Sequence, residues 1–372
     1  MAWVEKHGAG WRVRYHRSDG SIASEPGYTH PDSARDRAAD IEYETRRGTF
    51  SDPRNAHTTF GEWVEIWTDA HDVAENTWAK YRSHLNNHIV PKFADMPLSD
   101  ITHIKIKHWV KGLRRRLSDA TVADIVTILS MILSEADDEG YISKNPCRRL
   151  KLNLDPSAPK DTATASVVRR IADRCDPDYR TLIITAAYTG MRWGELAGLQ
   201  WHNVTLDGAA TITIDKDKGA LHEIGGRLEL GPPKTPASAR TLHLPPFLVG
   251  LLREHAARQF HDHVFTGPND GLLRRGNFRS RIWQPAVAGH KQRGWAALQT
   301  GLTFHELRHT HKTWLNEDRV DKALQHQRLG HRMAGVEGIY SHVTPPMIDH
   351  LTTTLERRWR RSHPAPDTSS QG

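Results

Sequence analysis

The segment from Arg148 to Thr162, RRLKLNLDPSAPKDT, limits what this chain can fold into more than any other. Its prolines, lysines and aspartates cannot contribute to an apolar core, so it reads as an exposed linker separating independently packed units. A shorter polar stretch, Ser51 to His57, makes a second break. A chain of 372 residues cut in this way holds two or three cores, and each must be read by its own hydrophobic period.

Composition narrows the partners. Lys and Arg total 51 against 44 acidic residues, for a formal charge of +7 and a pI of about 9.4. That balance suits a polyanion without identifying one. The two cysteines, Cys147 and Cys175, have no CxxC spacing, which argues against a disulfide framework and a cysteine-built metal site. The N-terminus lacks an apolar signal core and no run approaches a membrane span. The expectation is a soluble cytoplasmic protein, nucleoid-associated if its polyanion is DNA.

Before the first break the pattern is period two. Trp11, Val13 and Tyr15 fall on one face, and Arg12, Arg14 and His16 on the other. Asp19-Gly20 signals a hairpin, Ser21 to Ser24 can return as a strand, and a further short strand runs towards Thr29. Pro31-Asp32-Ser33 then starts a helix ending near Gly48. A three-stranded sheet with one helix is expected over residues 1–50.

Between the breaks, over 57–147, the pattern is helical. Thr59-Phe60-Gly61-Glu62 is a capping box before Trp63, Val64 and Trp67. A second helix is expected from Asn76 to Ile89, with a turn region from Pro91 to Asp100. Thr102 to Leu117 carries Lys105, Lys107, Lys111, Arg114, Arg115 and Arg116 without an interleaved carboxylate, a cation density that favours phosphate contact. Ser118 or Asp119 caps a longer amphipathic helix that Gly140 ends.

After the linker, over 163–361, helices surround a small sheet expected from Thr211 to Ile214, Arg227 to Leu230 and Arg240 to His243. Gly190 can end one helix and leave Arg192 at the head of the next, where backbone amides favour an anion. Glu195 is spaced to hold Arg192 by a salt bridge. Lys234 sits in a GPPKT turn, where a lysine beside a phosphate could donate a proton to a leaving oxygen. His305 and Arg308, three residues apart, leave one helix face. His331 follows in LGH, and Tyr340 stands after Gly338 and Ile339. The tail from Ser362 to Gly372 is expected to be disordered.

His305-Glu306-Leu307-Arg308-His309 also fits the zinc-protease pattern H-E-x-x-H. That reading leaves Arg192, Lys234, the basic helix and Tyr340 unused, and Arg308 adds a repelling charge. A DNA-binding protein without chemistry explains the basic modules but not the His/Arg cluster. Arg192, Lys234, His305, Arg308, His331 and Tyr340 together compose a phosphoryl-transfer site that needs no metal or other cofactor. Two arginines grip the non-bridging oxygens, and a tyrosine, once activated, supplies the nucleophile.

With those six residues in TGMRWGEL, PKTPASAR, HELRHT, LGH and IYSHV, the chain resembles a tyrosine recombinase of the phage integrase family. The resemblance implies a multidomain fold: a small α+β arm-type DNA-binding module at 1–50, an all-α core-binding (SAM-like) domain at 57–147, and a mainly α catalytic domain with a small antiparallel sheet at 163–361. It implies that Arg192 and Arg308 bind the scissile phosphate and that Lys234 protonates the 5′-oxygen. His305 then accepts a proton or ligates phosphate, His331 donates a hydrogen bond, Glu195 supports, and Tyr340 attacks to give a 3′-phosphotyrosine. The DNA-binding candidates are Arg12 and Arg14 of the first module and the six cations from Lys105 to Arg116. The implied partners are double-stranded attachment-site DNA, a homotetramer on paired sites formed by handing a helix (Thr344 to Arg361) to a neighbour, and an accessory DNA-bending or directionality factor. A type IB topoisomerase would use the same chemistry.

Overall fold

The computed structural model describes residues 1–17, 20–47, 50, 58–152, 161–258, 260–332 and 343–363. Two units divide the chain, Met1–Ser157 and Ala158–Gly372.

In the first unit, β1 (Ala2–His7), β2 (Gly10–His16) and β3 (Ile22–Tyr28) form an antiparallel sheet in the order β1-β2-β3. The strands are composed differently from the expectation. Gly8, at φ +60°, turns the N-terminal segment into a hairpin pairing His7 with Gly10, and the residues before Thr29 form one strand rather than two. Helix α1 (Pro31–Arg46) buries Ala34, Ala38 and Ile41 against Val13, Tyr15 and Ala23. The opposite sheet face carries Trp3, Glu5, Arg12 and Arg14. Arg12 donates to Glu5 at 3.0 and 2.9 Å and Arg14 at 3.3 Å, so both candidate DNA contacts are already partnered by one carboxylate.

A second core in this unit is all helical. It is built from α2 (Phe60–Ala70), α3 (Glu75–His84), α4 (Val90–Phe93), α5 (His103–Leu113) and α6 (Asp119–Asp138). Thr59 and Glu62 make both halves of the capping box, a device worth about 1 kcal/mol. The indole of Trp63 donates to the carbonyl of Ile132 at 3.0 Å, locking α2 onto α6, whose stripe from Val122 to Ala136 is buried. The expected turn at Pro91 is instead helix, because a π-helical turn over Leu85–Ile89 precedes it. A wider turn accommodates a ring that cannot donate to the ladder. The same device recurs in the second unit, where a π turn at Arg279–Trp283 precedes Pro285. Helix α5 ends at Leu113, so Lys105, Lys107 and Lys111 lie on it while Arg114, Arg115 and Arg116 follow in the turn.

The second unit contains α7 (Ala165–Ala172), α8 (Pro177–Thr189) and α9 (Trp193–Ala197), then β4 (Val204–Thr205), β5 (Thr211–Ile214), β6 (Ala220–Ile224), β7 (Arg227–Gly231) and β8 (Arg240–His243). The expected single sheet is two: β4-β5-β8 and a separate β6-β7 hairpin. Arg227–Gly231 pairs with Ala220–Ile224 across Gly225-Gly226, a turn in which both glycines have positive φ. Then follow α10 (Pro246–Ala256), α11 (Arg275–Phe278), α12 (Gln284–Ala288), α13 (Glu306–Glu317), α14 (Lys322–Leu329) and α15 (Pro345–Arg361).

Helix α15, the segment expected to pass to a neighbour, packs on its own unit. Leu351 and Leu355 are fully buried, Trp359 stacks on Phe247 at 4.5 Å, and Glu356 accepts from the Phe247 amide at 2.8 Å. The amphipathic face that a partner could receive is satisfied within one chain.

Candidate active site

The start of α9, the β7–β8 loop, the α11–α12 segment, the start of α13 and the end of α14 line a cleft of about 880 Å³ in the second unit. Among the described residues, six Lys or Arg and three histidines line it without a carboxylate, which suits a multiply charged anion. Arg192, Lys234, His305, Arg308 and His331 all reach it. Tyr340 lies outside the described residues, as do Gly338, Ile339 and His342.

Arg192 stands between α8 and α9 because Gly190 ends α8 in the left-handed region at φ +69°. No other residue fits there: a Cβ on Gly190 would lie 2.8 Å from the His311 ring and 3.0 Å from the Leu329 side chain. Glu195, one turn into α9, takes the Arg192 amide at 2.8 Å on one oxygen and the guanidinium at 2.8 Å on the other. Ser238 accepts a further bond from the same guanidinium nitrogen at 2.8 Å. Burial alone would raise the Glu195 pKa, but Arg240 and Arg192 overcome it and hold the carboxyl below its ordinary value.

Arg308, on α13, has no acidic hydrogen-bond partner among the described residues. It is held by helix-terminal carbonyls: Gly190 at 2.6 Å from α8, and Leu329 at the end of α14. Such carbonyls carry partial negative charge and can host a guanidinium. Burial, then the Arg192 charge, pulls its pKa down to about 9, which leaves it protonated at neutral pH. Its Nη2 also lies 3.0 Å from His331 Nε2. Since arginine only donates, that nitrogen is the acceptor and a neutral His331 carries its proton on Nδ1. Partial burial and the charges of Arg308 and Arg192 push His331 down to about 4.

His305 is the N-cap of α13, and its pKa is lowered by burial of the ring and by His309, Arg308 and Arg192. It is therefore neutral at pH 7 and competent to accept a proton. Lys234 is exposed in the loop between β7 and β8. Glu306 accepts from the Thr303 amide at 2.5 Å, serving its own helix start, and among the described residues no three His, Cys, Asp or Glu side chains are grouped to hold a metal.

Several residues that sequence reasoning passed over complete the site. Arg275, Arg279 and Lys312 extend the cationic lining. Beneath it, Arg240 and Arg328 are almost wholly buried. Arg240 forks onto both oxygens of Glu195 at 3.1 and 3.0 Å and reaches the Arg328 carbonyl at 2.6 Å. Arg328 donates to His311 Nε2 at 2.9 Å and to the carbonyls of His243 and Tyr188. Arg240 lies in the PKTPASAR stretch and Arg328 directly before LGH, so proximity to the candidate-site motifs was the available signal.

The chain and its fold are similar to those of known proteins. The Phage integrase family model matches residues 162–346, and the Phage integrase, N-terminal SAM-like domain model matches residues 59–114. The chain is 28% identical over 303 residues to the putative prophage phiRv2 integrase of Mycobacterium tuberculosis (strain ATCC 25618 / H37Rv), covering 80% of this chain and 78% of that one. Its fold is similar to that of the Tn1549 transposon integrase in complex with transposon right end DNA, with a TM-score of 0.62, 19% identity, and coverage of 81% and 99%. It is also similar to a lambda integrase tetramer bound to a Holliday junction, with a TM-score of 0.56, 19% identity, and coverage of 92% and 98%.

Proposed function

We propose specific roles for the residues of a chain that belongs to the phage integrase family and is a site-specific tyrosine recombinase. Arg192 and Arg308 bind the two non-bridging oxygens of the scissile phosphate. Tyr340 attacks phosphorus, losing its phenolic proton to His305, and forms a 3′-phosphotyrosine. Lys234 protonates the departing 5′-oxygen. Attack by a 5′-hydroxyl on the phosphotyrosine reverses the step and rejoins the strand. His331 donates to the phosphate, and Glu195 holds Arg192. The observation that carries this reading is the convergence of Arg192 and Arg308, from separate elements, on one cleft with no carboxylate among its described lining residues. In such a site their charge stabilises the pentacoordinate transition state more than it would in water.

The finer organisation belongs to the same proposal. Residues 1–50 serve as an arm-type module using Arg12 and Arg14, and 57–147 as a core-binding domain contacting DNA through Lys105, Lys107, Lys111 and Arg114 to Arg116. The linker spans 148–162, the catalytic domain 163–361 and the tail 362–372. The active assembly is a homotetramer on paired double-stranded sites, aided by an accessory DNA-bending or directionality factor, in the nucleoid-associated cytoplasm. No described helix is long and apolar enough to cross a membrane.

The test uses a nicked suicide substrate carrying a cognate site. Arg308→Gln should retain site binding and lose covalent complex formation; equal complex formation by variant and wild type would remove Arg308 from the phosphate. Deleting residues 1–50 should abolish simultaneous two-site binding while single-site binding persists, and unchanged two-site binding would refute the arm-type role.

A further inference from the structure

Arg192 and Arg308 must keep a fixed separation to grip one phosphate, yet no described hydrogen bond joins them. The buried Arg240 spans the gap. Its Nη1 and Nη2 take the two oxygens of Glu195 at 3.1 and 3.0 Å, and Glu195 in turn holds the Arg192 amide and guanidinium. Its Nε takes the Arg328 carbonyl at 2.6 Å, in the last turn of α14. The next carbonyl of that turn, Leu329, accepts from Arg308. Nη1 also takes the Ser238 carbonyl at 2.7 Å, and the Ser238 hydroxyl is a direct Arg192 acceptor. One guanidinium therefore stands one residue away from each phosphate-binding arginine.

The surroundings fit Arg240 alone. Gly330 ends α14 at φ +61°, and a Cβ there would lie 3.1 Å from Arg240 Nη1 and 2.9 Å from the Ser238 Cα. Lysine, with a single point of donation, cannot bridge a carboxylate and two carbonyls in fixed directions.

We propose that Arg240 is a positioning residue that sets the spacing of Arg192 and Arg308 by tying Glu195 to the last turn of α14. The inference rests on the reading of those two arginines as phosphate ligands. Arg240 touches neither substrate nor reacting atoms, so its contribution enters the rate of strand cleavage and not the affinity for DNA. Displacing a reacting group by about 1 Å can cost on the order of 100-fold in rate, and a loss of that size is expected here.

The experiment measures single-turnover covalent complex formation on a suicide substrate, together with DNA affinity and Tm, for wild type, Arg240→Lys, Arg192→Lys and the double variant. Arg240→Lys should cleave about 100-fold more slowly at unchanged site affinity. In the Arg192→Lys background, where the positioned group is already lost, the same change should cost less than about 3-fold, the mark of residues acting as one unit. Multiplying losses, or an Arg240→Lys rate equal to wild type, would overturn the proposal. If Arg240→Lys does not fold, Gly330→Ala decides, because its Cβ would lie 3.1 Å from Arg240 Nη1 and displace the tie. A cleavage loss at unchanged affinity that vanishes in the Arg192→Lys background supports the tie, and a rate equal to wild type refutes it. Should Arg192→Lys itself cleave normally, the phosphate-ligand reading fails instead, which separates the two.

Discussion

Arg308 donates to the backbone carbonyl of Gly190 at 2.6 Å, so one phosphate-binding candidate is fastened to the residue that turns the chain towards the other. Gly190→Ala would place a side chain in the left-handed region and within 2.8 Å of the His311 ring. The backbone alone costs about 1–2 kcal/mol, and the clash adds to it. Denaturant titration should show that loss or more, with cleavage reduced beyond what the unfolded fraction explains. An unchanged midpoint would contradict the role of the turn.

Among the described residues Glu195 is the one carboxylate bonded to this arginine cluster; Arg240 is buried with it, and Arg192 is half-buried. Removing its charge leaves Arg240 uncompensated, and breaking a buried pair costs about 3–5 kcal/mol. Glu195→Gln should lower the unfolding free energy by that order in urea. A change under about 1 kcal/mol, the range of a surface pair, would mean that Glu195 is not the hub of the network.

How much of this was legible follows from the kind of interaction each residue makes. The helices of the second core and the Arg192–Glu195 pair depend on local spacing, and capping boxes and i, i+3 pairs are written in consecutive residues. The sheet of the second unit was misread because strand pairing is non-local: Arg227–Gly231 alternates as well as Arg240–His243 does, and only the Gly225-Gly226 turn directs it to a different partner. Arg240 and Arg328 look like any surface arginine in sequence. Their burial becomes evident only when two helix C-termini supply the carbonyls they need.

Acid should destabilise the fold. His311 is fully buried and its pKa is held well below the ordinary value by burial and by Arg328, while His331 is lowered to about 4. Both are neutral in the folded chain, whereas an unfolded histidine titrates near 6.5. The unfolded state thus binds more protons below that pH, so the stability they contribute is full above about 6.5 and falls as pH drops towards 4. Thermal unfolding at pH 7.5 and pH 5.0 should give the lower Tm at pH 5.0, and an equal or higher value there would contradict the assignment.

Trp359 stacks on Phe247 with ring planes 10° apart and also meets Tyr188. Trp359→Ala should release the end of α15 and cost about 2 kcal/mol, less than a fully buried tryptophan because the ring is partly exposed. Limited proteolysis should then cut within 345–361 in the free protein. Resistance equal to wild type would indicate that the helix is held by its buried leucines alone.

The most direct test of the central claim is covalent trapping. A suicide substrate nicked beside the cleavage point is incubated in EDTA with wild type and with Tyr340→Phe, and the products are resolved on a denaturing gel. The account predicts a protein–DNA adduct with wild type, none with Tyr340→Phe, and a tryptic peptide of wild type carrying the nucleotide on Tyr340. An adduct that persists in Tyr340→Phe, or strand cutting that requires a metal, would contradict it.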